Sequence, residues 1–274
     1  MKTTESFKAI ILFITLSACA TLSADATNEI VLFSDVNWEP LNPARGKSSP
    51  IAGTLWGDRM SQVPTGFLVK FVDGFSSPPH IHNITYRGVV ISGHIHNDDP
   101  KAEAMWMGPV SFWTQPIGEP HITAAKGKNT IAYIEIDRGP YLVLPTEEAF
   151  DNGERPINID KSNLVWMDLA SNGNNKDHAK ISYLWGTPSD GQTYGALIKL
   201  PAGLSTKMLN DGTVFHAVII KGSINYSLDD ETKKQLVPGS YFNANGMSTH
   251  TIQSEEATES VIYVRTNGTL KINP

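Results

Sequence analysis

The chain has 274 residues, a formal net charge of −6 and 40% hydrophobic content. That is enough apolar material for one large or two modest cores. No Lys/Arg-rich run occurs, which argues against nucleic acid as a partner.

In chain order, residues 1–26 read as a leader outside the fold. Lys2 and Lys8 form a basic region, and Ala9 to Ala18 a short apolar one. That stretch fits a secretory signal and is short for a spanning helix. Leu16-Ser17-Ala18-Cys19 reads as a lipobox, with Cys19 as the lipidated residue. The rival is cleavage after Ala24-x-Ala26, which discards Cys19. Either way the expectation is export, to a bacterial periplasm or to the outer membrane through an N-terminal lipid anchor. Cys19 is the chain's single cysteine, so no internal disulfide forms.

Residues 27–50, with Trp38, Pro40, Pro43 and Pro50, are expected to run extended along a first domain. From 54 onward β-branched and aromatic runs alternate with turn clusters, which predicts an all-β sandwich or barrel. Strands are expected over 66–71, over 85–92 with Gly93 closing it, over 111–115, and over 129–136. Asn97-Asp98-Asp99-Pro100 reads as a turn, and Glu147 to Phe150 as a short linker helix. Pro145 and Asp151-Asn152-Gly153 mark a joint. The organisation expected is therefore a leader (1–26), a first domain (27–150) and a second domain (151–274).

The chain also repeats itself at a constant offset of 129 residues. Leu55-Trp56-Gly57 returns as Leu184-Trp185-Gly186, Gly66 as Gly195 and Lys70 as Lys199. Gly74 returns as Gly203, Gly93 as Gly222, Pro109 as Pro238, Ser111 as Ser240 and His121 as His250. A period of that length means two similar domains in tandem.

His80-Ile81-His82 carries the chemistry. Two histidines two apart on an extended strand share a face. A third, His121, follows the turn Pro116-Ile117-Gly118-Glu119-Pro120. Three neutral imidazoles converging on one point bind a divalent transition metal, and such a set leaves coordination positions open. In the second copy these positions are Leu209 and Asp211, with Phe215 for Tyr86, and only His250 remains. That copy reads as structural or substrate-shaping. His216 lies on the opposite strand face, as a surface or interface residue. His94 and His96 form another His-x-His, expected as an exposed pair near a loop. His178 lies in a polar stretch. Trp56, Trp106, Trp113 and Trp185 are expected as core or cavity walls.

Gly74, His80, His82 and Gly93 resemble the first cupin motif, G-x5-H-x-H-x3-E-x6-G. Pro116-x-Gly118-x2-His121 resembles the core of the second. The chain departs from the family in having Tyr86 at the glutamate position, Ala125 at the final asparagine and Val110 at the leading glycine. The resemblance implies tandem double-stranded β-helix (jelly-roll) domains, a bicupin. Within the superfamily, the run from Met107 to His121 is most similar to metal-binding cupins of the anti-sigma-factor type.

The resemblance also implies one metal on His80, His82 and His121, zinc or iron first, with manganese and nickel open. Tyr86 faces the cavity as a hydrogen-bonding group or acid, or merely fills the glutamate's volume. Gln115 and Glu119 are candidates for a supporting bond or an extra oxygen ligand. The function expected is a small-molecule enzyme, dioxygenase-like or of isomerase or hydrolase type. The alternative is a non-catalytic protein that binds or senses a small ligand at the cell envelope. Assembly as a homodimer is left open.

Overall fold

In the computed structural model of the protein, residues 28–169, 179–189, 191–228 and 233–273 are described. The expected leader with Cys19, and His178, lie outside them. Apart from short 3-10 turns, the regular structure is strand. No described helix is long and apolar enough to cross a membrane.

Two seven-stranded antiparallel sheets form the centre. One orders Ile157–Ile159, Phe112–Gln115, Tyr86–Asp98, Ile122–Ile136, Thr65–Phe71, Ile51–Trp56 and Glu39–Pro40. The other orders Ile30–Val31, Tyr241–Asn245, Val214–Lys221, Ser260–Thr266, Tyr194–Leu200, Lys180–Trp185 and Met167–Asp168. The central strands are buried on both faces because three cores stack through them. In Thr65–Phe71, Phe67 and Val69 point into the first half's interior, with Ile95, Ala125 and Ile134. Leu68 points the other way, against Leu197, Val218 and Tyr241 of the second sheet. Leu197 joins that shared core, while its neighbours Ala196 and Ile198 enter the second half's interior. The period-2 alternation of a strand thus feeds two cores at once. Each fully buried Phe or Leu contributes about 1.5–3 kcal/mol.

Each half closes its sandwich differently. In the second half a five-stranded sheet, with Ser205–Asn210, Ile224–Leu228 and Ser248–Ser254 among its strands, covers the inner face. In the first half, two long strands fold over instead. Tyr86–Asp98 and Ile122–Ile136 pair along their whole length, with register shifts at Val90/Ser92 and Ser92/His94. Bulges of this kind bend a strand. Gly93, at φ 72°, is therefore inside the strand and does not close it. The expected 129–136 strand likewise begins seven residues earlier, at Ile122.

Strand pairing crosses the expected division at 150/151 in both directions. Glu39–Pro40 lies on the first half's sheet as anticipated. Ile30–Val31 instead pairs with Tyr241–Asn245 at the open edge of the second half's sheet. Asn243 Oδ1 and Ser240 Oγ accept the backbone N–H groups of Glu29 and Phe33 there. Past the joint at 150/151, Ile157–Ile159 turns back to cap the first sheet against Phe112–Gln115. Free sheet edges are unsatisfied hydrogen-bonding surfaces, and each half's flanking segment covers one. The linker helix reduces to one 3-10 turn, Thr146–Glu148.

Trp113 is held by a size match across the sheet. It lies opposite Gly88 in register, and a Cβ at 88 would overlap its six-membered ring. Gly88→Ala is expected to cost about 1–3 kcal/mol by overpacking and to change the near-UV circular dichroism as Trp113 shifts. A variant as stable as the parent in urea, with an unchanged spectrum, would sink this account.

Candidate metal centre

The three histidines meet. One ring nitrogen from each of His80, His82 and His121 lies within 4.8 Å of the others, and all three residues are buried. They do not come from one continuous strand. Ile81–His82 is a two-residue strand paired with Val143–Leu144, separate from the strand that begins at Tyr86. His80 forms an isolated bridge with His121, exchanging both backbone hydrogen bonds at 3.0 Å. Directly opposed residues of this kind put their side chains on one face, and the two rings lie 4.2 Å apart. The Pro116–Gly118 turn is tied down by Gly118 N–H donating to His82 O at 2.9 Å.

Each imidazole is oriented by a backbone carbonyl. His80 Nδ1 meets Pro78 O at 3.0 Å, His82 Nδ1 meets Leu142 O at 2.8 Å, and His121 Nδ1 meets Glu119 O at 3.2 Å. A carbonyl can only accept, so each Nδ1 carries the proton and each Nε2 keeps its lone pair. This is the usual support of a ligating histidine. His80 Nε2 and His82 Nε2 are 3.2 Å apart. Two nitrogens about 2.1 Å from one ion would be about 3.0 Å apart at an octahedral angle and about 3.4 Å at a tetrahedral one. The His80–His82 spacing fits one transition-metal ion, and His121 has a ring nitrogen within 4.8 Å of both.

Burial also keeps the imidazoles neutral. It lowers the pKa of His80, lowers that of His82 well below the ordinary value, and takes His121 to about 3, with His80 adding to the effect on His121. Neutral imidazole is the form that binds metal.

Two phenols flank the nitrogens. Tyr86 does face the centre, with its hydroxyl 3.4 Å from His121 Nε2 and donating to Asn97 Oδ1 at 2.8 Å. Tyr141 was not anticipated from the sequence. Its hydroxyl is 3.3 Å from His82 Nε2, and its ring stacks on His82 at 4.5 Å. Burial raises Tyr86 to about 12 and Tyr141 well above its ordinary value, so both are neutral phenols.

Asn97 is a second residue that the sequence did not reveal. It is fully buried in Tyr86–Asp98, where a turn was expected. Its Oδ1 accepts from Tyr86 and from Thr123 Oγ1 at 2.7 Å, and its Nδ2 donates to Gln115 Oε1 at 2.9 Å. Gln115 Nε2 in turn donates to Glu119 O at 3.0 Å, the carbonyl that holds His121. The Gln115 amide is thus engaged away from the nitrogens. Glu119 contributes its backbone oxygen.

The centre opens into a cavity of about 420 Å³ with an apolar wall that includes Val69, Phe71, Phe75, Trp113 and Ile134. Volumes of this order suit small ligands. His94 and His96 lie outside the ligand group. His94 is exposed, whereas His96 is buried with its Nδ1 unpartnered and its ring 6.0 Å from Trp106.

In the second half the corresponding space is filled. His250 Nδ1 meets Tyr226 Oη at 2.8 Å and its Nε2 meets Ser248 Oγ at 3.0 Å, so both nitrogens are engaged. Phe215 stacks on it at 4.4 Å. Tyr226 stands 129 residues after Asn97, so a larger ring occupies the place of the amide.

The family model described as a domain of unknown function, DUF4437, matches residues 29–273. The chain belongs to the DUF4437 family. No curated protein matches it. Among solved structures, this DUF4437 chain is similar to a candidate dioxygenase from Nostoc punctiforme, with 14% identity, TM-score 0.63, and coverage of 87% of this chain and 81% of that one. It is similar to the oxalate decarboxylase of Lactobacillus farciminis in a formate complex, with 10% identity, TM-score 0.59 and coverage of 89% and 87%. It is also similar to a variant of salicylate 1,2-dioxygenase from Pseudoaminobacter salicylatoxidans bound to gentisate, with 12% identity, TM-score 0.57 and coverage of 90% and 86%. At such identities the likeness shows the fold alone, an all-β jelly roll.

Proposed function

We propose that this DUF4437 protein is an exported bicupin enzyme that acts on a small organic molecule through one divalent transition metal on His80, His82 and His121. One observation carries the reading: three buried imidazoles, each oriented by a carbonyl behind its ring, converge beside a cavity that His80 and His82 line. The 129-residue repeat supports the bicupin reading, with 27–150 as the working unit and 151–274 as its filled copy. The basic and apolar run before residue 26, with Cys19, supports export to the periplasm or outer membrane. The likeness of the Met107–His121 run to anti-sigma-factor-type cupins supports the metal rather than a reaction.

Iron would supply redox chemistry toward O2, and zinc or manganese Lewis-acid chemistry. The protein's own groups supply protons and exclude water. Tyr141 has no hydrogen-bond partner among the described residues besides His82 Nε2. With that nitrogen given to a metal, the O–H of Tyr141, which lines the cavity, would be free for a ligand there. Tyr86 can give up its bond to Asn97, because Thr123 still satisfies that oxygen. Phe71 and Phe75 keep the approach dry.

The test is metal content by plasma mass spectrometry on protein purified without a histidine tag, beside a His80→Ala/His82→Ala variant. About one equivalent is expected in the parent and essentially none in the variant. Iron directs screening toward O2 consumption, and zinc toward hydrolysis or isomerisation. Protein that takes up no metal even after reconstitution overturns the reading. Stoichiometric binding of chelating metabolites without turnover would replace the enzyme with the sensing alternative.

A further inference from the structure

The cavity is electrostatically one-sided. Among the described residues that line it, Arg45 alone carries a charge, and there is no Asp or Glu. The protein as a whole has a net charge of −6, so this is a local positive site within an acidic molecule. Arg45 makes no ion pair among the described residues, and neither does Arg138, whereas Arg59, Arg87, Arg155 and Arg265 each have a carboxylate within 4.0 Å. Its guanidinium instead lies 5.1 Å from the centre of the Phe75 ring. Such cation–π packing fixes an arginine while leaving its N–H groups free to meet an anion.

The segment that presents Arg45 is pinned at its base. Residues 41–50 connect two paired strands, and Leu41, Asn42, Arg45 and Pro50 line the cavity. Leu41 N–H donates to Pro50 O at 2.8 Å, Asn42 N–H to Ser49 Oγ at 2.9 Å, and Ser49 N–H to Gly46 O at 3.1 Å. Arg45 lines the same cavity as His80 and His82. In the same cavity wall, the buried Trp113 indole N–H lies near the Tyr86 hydroxyl but makes no hydrogen bond of normal geometry. Unpaired buried donors are costly, and a bound acceptor removes the cost.

We propose that Arg45 is the carboxylate anchor of this cavity, and that the ligand class is a small organic acid whose apolar body lies on Phe71, Phe75 and Ile134. A cationic ligand would meet Arg45 with no compensating carboxylate. A neutral one would leave the guanidinium unpaired as the cavity loses water. A carboxylate takes two parallel N–H bonds from the guanidinium, which a carboxamide cannot match. For catalysis the anchor rests on the metal reading above, but for binding it does not.

The test uses acid and amide pairs of equal shape: benzoate with benzamide, phenylacetate with phenylacetamide, and hexanoate with hexanamide. Each is titrated calorimetrically into metal-loaded and metal-free protein. At least one acid should bind about 10-fold or more tighter than its amide, the range of a charge-assisted bond. Arg45→Met should bring the acid to the affinity of the amide, leaving amide binding, metal content and melting temperature unchanged. Arg45→Lys should keep part of the preference, which separates charge from fold. Acids that bind no better than amides, acids that do not bind at all, or a preference that survives Arg45→Met would overturn the anchor. One metal equivalent with no acid preference removes the anchor alone. An Arg45-dependent preference in protein that takes up no metal retains the anchor and removes the metal reading.

Discussion

Arg265→Met is expected to lower the stability of the protein by about 3–5 kcal/mol, the cost of stripping one partner from a buried ion pair. Arg265, on the second half's sheet, reaches Glu135 on the first at 3.3 Å, with side chains 8% and 1% exposed. The same guanidinium binds Asp137 at 2.9 Å, and Asp137 also holds Arg87 at 2.9 Å. Tyr263 donates to Glu135 at 2.7 Å and Tyr133 does so at 3.1 Å. Without Arg265 the Glu135 carboxylate stays buried with phenol donors but no counter-charge. Its neutralisation would restore little of the lost attraction. The double variant Glu135→Leu/Arg265→Met removes both charges and should recover part of the loss, since apolar replacements of buried pairs are often neutral or better, while the Tyr133 and Tyr263 hydroxyls lose their acceptor. Urea denaturation of parent, single and double variants measures this. A single variant within 1 kcal/mol of the parent would show that the pair is not what joins the halves.

The surroundings of that pair follow the internal repeat. Trp56 Nε1–H donates to Tyr133 Oη at 3.2 Å, and Trp185 Nε1–H to Tyr263 Oη at 2.8 Å. A side chain at Gly66 or Gly195 would strike the indole in each case. His216 stacks on Trp56 at 4.0 Å, and Arg87, its equivalent in the first half, lies over Trp185 at 3.9 Å. The recurring tryptophans and glycines were therefore legible as packing positions. The one-residue change of offset that places Arg265 opposite Glu135 was not, because it falls after the last matched histidine.

The metal ligands could be read because spacing and flanking glycines single them out from five other histidines. What surrounds them could not. Asn97 begins the string Asn-Asp-Asp-Pro, whose composition is that of a turn. Only two bulges upstream carry the strand far enough to bury it. Tyr141 arrives from a loop some 60 residues from His82, and the pairing of Val143–Leu144 with Ile81–His82 brings it there. Arg45 sits in a proline-rich segment whose course depends on a pairing between short edge strands. The exchange of Ile30–Val31 onto the second half was invisible for the same reason. Two-residue strands carry no periodicity, and tertiary contact decides their partners.

Metal-free protein should lose stability steadily as pH falls from 7 to 5, and the second half's histidines make this testable away from the centre. Burial takes His250 to about 3, and burial with Arg265 nearby takes His216 to about 4. In the unfolded chain both titrate near 6.5. Below that value the unfolded state binds protons that the folded state refuses, so stability falls with decreasing pH until the folded pKa is reached. Each group adds a slope of up to about 1.4 kcal/mol per pH unit. Most carboxylates stay ionised above pH 5, which leaves this window to histidine. His250→Gln removes one such group. The loss between pH 7 and pH 5, measured by urea denaturation, should then shrink by about 2 kcal/mol relative to the parent, as 1.5 units of slope require. An unchanged pH dependence in His250→Gln would mean that His250 accepts a proton while folded, with the Tyr226 and Ser248 oxygens as its acceptors.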